Sequence, residues 1–264
     1  MLLSTPRDIP LLPAALGCRA AREIAGVYRF ARGLDDFVDD PRRPVAAKTG
    51  LLTTVSDWLR SPSAPELARA IRSQCRVPLD GRVLRHAGRL RLFVEHLQLD
   101  AAGTPLRDRA AFDGYYRGVA GVFGDIVCDA FGESSEAVRA AVRTAAIRLG
   151  ILTQLRDVPA DLAAGRRVCG LEEQVAVLGR AAATDGRLRP EIVAAHVQAV
   201  LAMLPPPASP PGPGSSATLG RYLAAVEAAN AILTGRLLRT PGRPDRATLG
   251  PADRLVVAWR FLRG

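Results

Sequence analysis

Along most of the chain the apolar positions recur at three- and four-residue intervals, the repeat of an α-helix that buries one face. Leu16, Ala20, Ile24, Val27 and Ala31 form the first such stripe, over residues 14–30. The same periodicity predicts helices over 48–59, 65–75, 81–98 and 109–131. It continues over 136–157, 171–182, 190–204, 218–238 and 251–262. No segment alternates apolar and polar positions with β-branched residues, so no strand is predicted. Breaks carry turn chemistry at Pro41, Ser61-Pro62-Ser63, Pro78, Gly103-Thr104-Pro105 and Pro241-Gly242-Arg243-Pro244. The expected fold class is all-α. Residues 205–216, PPPASPPGPGSS, read as a loop inside one domain spanning 1–264, because too few residues follow them for an independent core.

Composition narrows the picture. Of 264 residues 48% are hydrophobic and 23% charged, which is globular. No run approaches the roughly 20 apolar residues of a membrane span, and Met1–Pro13 lacks the apolar core of a signal peptide. A cytoplasmic location is expected. Cys18, Cys75, Cys128 and Cys169 are unpaired in spacing and read as small core residues. His86, His96 and His196 read as surface or half-buried side chains, since no two stand at metal-ligand spacing. The net charge of +10, from 36 basic and 26 acidic residues, raises nucleic acid as a partner. Yet the arginines are dispersed and aromatics make up only 5%, too few for base stacking, so no nucleic-acid partner is expected. The charge suits a diphosphate or, through peripheral association, an anionic membrane surface. The oligomeric state is not readable.

Two carboxylate clusters carry the candidate chemistry. Asp35, Asp36, Asp39 and Asp40 follow the first stripe, and helical spacing puts Asp35 and Asp39 on one side with Tyr28 and Arg32. Arg156-Asp157-Val158-Pro159-Ala160-Asp161 repeats the four-residue interval after an apolar helix, with Gly165-Arg166-Arg167 behind it. A solvated acidic helix end is the plain explanation of each. Against it, carboxylates at a helix C-terminus meet the negative end of the helix dipole. Like charges one turn apart repel unless a cation lies between them. Mg²⁺ takes one or two carboxylates and completes its shell with phosphate oxygens and water. Facing one another across a bundle, the clusters would frame an apolar cavity in which an allylic diphosphate ionises away from water. No nucleophile elbow, Cys–His pair or phosphate-binding Gly-rich loop competes with this reading.

Residues 28–40, YRFARGLDDFVDD, resemble the first signature of the squalene/phytoene synthase family. Tyr115-Tyr116-Arg117-Gly118-Val119-Ala120-Gly121-Val122-Phe123-Gly124 resembles its central helix, and residues 155–166, LRDVPADLAAGR, its second signature. The resemblance spans residues 8 to 239 and implies an isoprenoid-synthase helical bundle around a hydrophobic cavity. It implies that Asp35, Asp39, Asp157 and Asp161 hold Mg²⁺, with Mn²⁺ as an alternative. Tyr28, Arg32, Asp36, Tyr115, Arg156 and Tyr222 would contact the substrate diphosphate. Gly121 and Gly124 would either pack helices closely or leave room for the isoprenoid tail, or both. The implied reaction joins two prenyl diphosphates head to head toward squalene- or phytoene-type products. A single-substrate terpene synthase, a presqualene-diphosphate-processing enzyme and a non-catalytic assembly factor are the alternatives. NADPH use stays open, because no GxGxxG fingerprint is present and the family does not require one.

The second signature departs from the family at four positions. Gly150 and Thr153 stand where Gln and Asn are usual, so Thr153 is the substitute metal contact. Ala160 replaces a glutamate, and Pro159 is expected to kink or end the helix. After Arg166 the family's Tyr-Leu-Pro is Val168-Cys169-Gly170 here.

Overall fold

The computed structural model describes residues 19–185, 188–208 and 217–263, and no strand occurs among them. Among the described residues, those up to Thr104 form one compact unit and those from Pro105 a second. The all-α expectation holds.

The first unit contains α1 (Arg19–Asp39), α2 (Val45–Arg60), α3 (Pro65–Gln74), α4 (Gly81–Leu84) and α5 (Ala87–Ala101). The stripe foreseen on α1 is real and extends further: Val27, Phe30, Ala31, Leu34, Phe37 and Val38 are all buried. Asp35, Asp36 and Asp39 therefore belong to the helix rather than following it, with Asp40 just beyond its end, while positions 14–18 of the foreseen stretch lie outside the described residues. The buried face of α2, with Leu52, Val55 and Trp58, packs mainly on α5 through Leu90, Phe93, Val94 and Leu97. Gly33 lets the 75–80 segment approach α1 closely, since a Cβ there would fall 2.4 Å from Val77 Cγ1. The Cys75 thiol donates to the Gly33 carbonyl at 3.1 Å.

The helix expected over 81–98 is instead broken at 85–86. Here His86 Nε2 and the Arg85 guanidinium each reach the buried Glu23 carboxylate at 2.8 Å. Burial pushes the Glu23 carboxyl up, and the bonds from Arg85 and His86 more than offset it, leaving it below its ordinary value. That pairing, invisible in the local pattern, outweighs continuous helix.

The second unit contains α6 (Arg109–Tyr116), α7 (Val122–Phe131), α8 (Glu136–Ala163), α9 (Glu172–Asp185), α10 (Pro190–Leu201), α11 (Ala217–Arg239) and α12 (Pro251–Arg263). Asp108 caps α6 by accepting from the Ala111 N–H at 2.8 Å, and Ser135 caps α8. The 28-residue α8 is the spine of this unit and packs against α7 and α11. Asn230 Nδ2 ties α11 to it by donating to the Ala145 carbonyl at 3.1 Å.

Two expectations change here. The helix predicted over 109–131 is interrupted by a π turn at Arg117–Gly121, the widened turn that often marks functional helices. The helix does not end at Pro159 but runs through it to Ala163. Proline withholds one backbone N–H, yet Val158 and Asp161 on either side are buried, and that packing carries the helix past it. His86 and His196, expected at or near the surface, are buried because each finds a polar partner inside; His96 is half-buried. Cys75, Cys128 and Cys169 are free and buried, as expected of core residues, and Cys18 lies outside the described residues. Residues 205–208 are non-helical, and the rest of the Pro/Gly/Ser segment lies outside the described residues.

Candidate active site

In the first unit the last turns of α1 carry the first cluster. Tyr28, Arg32, Asp35 and Asp39 recur at three- to four-residue spacing, so local helix geometry alone gathers them. Arg32 donates to Asp35 Oδ2 at 2.9 Å and pairs with Asp36 Oδ1 at 2.5 Å. Asp35 is 4% exposed, Asp36 faces solvent, and Tyr28 and Asp39 are half-buried. At the helix end Asp40 takes bonds from the Arg42 backbone and side chain and pairs with Arg43 at 3.4 Å. The Arg42 side chain, helped by its own backbone N–H, holds the Asp40 carboxyl below its usual range. The Arg43 guanidinium lies over the Phe37 ring, 3.9 Å from its centre.

In the second unit the C-terminal half of α8 carries the other cluster. The buried Arg156 forks onto its neighbour Asp157, Nε to Oδ1 at 2.9 Å and Nη2 to Oδ2 at 3.0 Å. Asp161 is 1% exposed and accepts from Arg166 Nε at 2.9 Å and Nη2 at 2.7 Å. Burial pushes the Asp161 carboxyl up to about 6; Arg166 opposes that shift and Asp157 adds to it. Thr153 is buried, and its hydroxyl proton is directed to the Leu149 and Gly150 carbonyls at 3.0 and 2.9 Å. Only its oxygen lone pairs remain for a further contact.

The central signature lies in the same unit. Tyr115 is buried, with the Tyr116 ring edge-on at 5.1 Å and the Arg167 guanidinium 4.9 Å from its ring centre. A Cβ on Gly124 would fall 2.8 Å from Arg143 Cα on α8, and one on Gly121 3.1 Å from Arg143 Cγ. Both glycines thus serve close packing against α8. Tyr222, on α11, is half-buried.

Several residues beside these escaped the sequence reading. Arg166 and Arg167 were visible only as basic neighbours of the second signature, without assigned partners. Tyr116 bonds Gln154 and lies 2.9 Å from Cys169 Sγ, contacts that join positions 38 and 53 residues apart. The doubled tyrosine at 115–116 was the one available signal.

Among the described residues no three His, Cys, Asp or Glu side chains form a group that could hold a metal ion. Mg²⁺ bound with a diphosphate needs only one or two protein carboxylates per ion, and each acidic segment offers a pair at four-residue spacing. The donors are hard oxygens, and every pair has an arginine beside it for phosphate oxygens. No described helix is long and apolar enough to cross a membrane.

An all-α chain with two arginine-backed acidic segments has the parts of a diphosphate-handling synthase. The profile of the squalene/phytoene synthase family matches residues 7–244 of the 264, and the chain belongs to that family. No curated protein and no solved structure matches it. The family carries out head-to-head prenyl transfer in isoprenoid biosynthesis, binds prenyl diphosphates and generally uses a divalent metal to do so. The fold expectation is met in kind: the chain is an all-α member of the isoprenoid-synthase type.

Proposed function

We propose that this protein is a Mg²⁺-dependent synthase condensing two prenyl diphosphates, farnesyl or geranylgeranyl, head to head. The family match supports reading residues 1–264 as one synthase domain, because it runs through both compact units. The observation that carries the proposal is the retention of all four aspartates at four-residue spacing, each segment with its own arginine.

In this reading the Asp35–Asp39 pair and the Asp157–Asp161 pair would each hold Mg²⁺ bound with diphosphate, and Thr153 would add a weaker oxygen contact beside the second pair. Bound Mg²⁺, or Mn²⁺ in its place, supplies the positive charge that makes diphosphate a good leaving group. Tyr28, Arg32, Tyr115, Arg156 and Tyr222 orient the diphosphate by hydrogen bonds, and Asp36 fixes the Arg32 guanidinium. As the C1–O bond of one substrate breaks, its electron pair leaves with diphosphate. The double bond of the second substrate then attacks the allylic cation, and loss of a proton closes a cyclopropyl diphosphate of the presqualene or prephytoene kind. The cyclopropyl product then loses its remaining diphosphate and rearranges, and the cation so formed ends by losing a proton to give a phytoene-type product or by taking a hydride from NADPH to give a squalene-type one.

A second reading is favoured by one feature. With the Thr153 hydroxyl turned to its own helix and Ala160 in place of a carboxylate, the second signature suits an enzyme acting on a single substrate or on presqualene diphosphate. An assembly factor would have no use for the four aspartates. The enzyme acts in the cytoplasm on this proposal, with peripheral contact to the membrane that receives its product.

The test is product analysis by mass spectrometry. Purified protein is supplied with C10 to C20 diphosphates, alone and in pairs, with and without Mg²⁺ and NADPH. A Mg²⁺-dependent C30 or C40 product is expected. Absence of turnover on every substrate sinks the reading, and a product with no more carbons than one molecule of the substrate supplied selects the single-substrate enzyme.

A further inference from the structure

We infer that a buried polar junction of Tyr116, Gln154, Cys169 and His196 positions Arg166 and Arg167 at the second acidic segment, so that His196 and Tyr116 are positioning residues for diphosphate binding. The inference rests on the proposed role of Asp157 and Asp161. The segment from Gly165 to Leu171 is irregular, and such a segment does not by itself hold two arginines in fixed places. Both are nevertheless placed: Arg166 on Asp161 and Arg167 over Tyr115.

The ties lie immediately downstream. His196 Nε2 donates to the Cys169 carbonyl at 2.6 Å from α10. Because a carbonyl only accepts, this fixes the proton on Nε2. Burial holds the imidazole below its ordinary pKa, so it serves as a neutral donor. Cys169 Sγ lies 2.9 Å from the Tyr116 hydroxyl, which also bonds Gln154 on α8, two residues before Arg156. Tyr116, Gln154, Cys169 and His196 are all 5% exposed or less. Gly170, at φ 144°, fits where a Cβ would come 2.7 Å from His196 Cε1. Beyond it the Leu171 N–H donates to Gln174 Oε1 at 3.0 Å, and the Glu172 N–H to the Leu106 carbonyl at 2.8 Å.

These ties lie at Val168-Cys169-Gly170, where the chain leaves the family's Tyr-Leu-Pro. The substitution thus comes with its own means of holding the segment. A buried network of this kind is sensitive to the loss of any member.

The test is isothermal titration of the full chain with inorganic diphosphate in excess Mg²⁺, with melting curves for every variant. His196→Ala and Tyr116→Phe are expected to weaken diphosphate binding about tenfold, the usual scale for groups that orient ligating residues. His196→Gln, whose amide N–H can reach the same carbonyl, is expected to restore it to within about threefold. If His196→Ala does not fold, Tyr116→Phe carries the test, since it removes one hydroxyl and keeps the ring. Unchanged affinity in a folded variant, with only the melting temperature lowered, overturns the inference and leaves the proposed function standing. No Mg²⁺-dependent diphosphate binding by the unmodified protein overturns both.

Discussion

Asp35 and Asp39 on α1 and Asp157 and Asp161 on α8 share one spacing, yet the two segments reach charge balance differently. On α1 the cations come from the same stretch of chain: Arg32 one turn back serves Asp35 and Asp36, and Arg42 and Arg43 just beyond the helix serve Asp40. On α8 the Asp157 partner is its own neighbour, but the partner of Asp161 arrives from an irregular segment held by tertiary contacts. The contrast is sharpest between Asp40 at the surface end of one segment and Asp161 in the other. Asp40 keeps its carboxyl below the ordinary range, whereas Asp161 is pushed up to about 6. The buried Asp35 is served from its own helix, whereas the buried Asp161 depends on an arginine held in place by tertiary contacts.

The sharpest way to break the comparison is to remove one charge from each segment. Asp35→Asn and Asp157→Asn are each expected to lower turnover by about 100-fold or more, since each removes charge that stabilises the departing diphosphate. Near-full activity in either, measured as product formed per enzyme, would leave only the other segment in the mechanism. Next comes stability. Arg166→Ala strips a buried carboxylate of its partner and is expected to cost about 3 kcal/mol by chemical denaturation. Arg42, 88% exposed at its side chain, is expected to be replaceable by Ala without measurable loss. Equal losses would erase the distinction between deep and superficial pairing.

The pH dependence should have opposite signs. The folded-state value of Asp161 lies above its ordinary 3.8, so the folded chain retains a proton that the unfolded chain has released. Its contribution to stability is present below 3.8 and is lost as pH rises through about 6. The melting temperature of the metal-free protein, taken relative to Asp161→Asn, should therefore fall between about pH 4 and about pH 6 and be level above about pH 7. Asp40, held low, contributes stability above 3.8 that is lost as pH falls below it. A flat difference for Asp161→Asn would remove burial as the distinguishing cause. Among the residues proposed to touch the ion, the smallest effect is expected at Thr153→Val, about threefold in affinity for Mg²⁺-diphosphate, the scale of one modest contact. A loss comparable to Asp157→Asn would make its hydroxyl oxygen a principal ligand.

Much of the fold was legible because helical periodicity and turn chemistry act over a few residues. Val27, Ala31 and the break at Pro41 needed nothing distant. The misses had distant causes. The interruption at 85–86 answers to Glu23, some sixty residues earlier, and the helix passes Pro159 because its flanks are packed. The π turn at Arg117–Gly121 left no mark in the apolar pattern, which reads the same through one widened turn. At the candidate site the aspartates and Arg32 were readable from spacing. Arg166 was readable as a charge but not as the partner of Asp161.

By itself the sequence determined an all-α chain, two acidic turns each with an arginine at hand, and membership of the squalene/phytoene synthase family. These follow from residue order over one or two helical turns, where backbone geometry alone sets which side chains meet. Only the tertiary structure decided that Gly124 is a packing contact with α8, that Asp161 is buried deeply enough to hold its proton to about pH 6, and that His196 and Tyr116 converge on Cys169. Burial and long-range hydrogen bonds depend on which distant segment fills the space, and no local pattern encodes that.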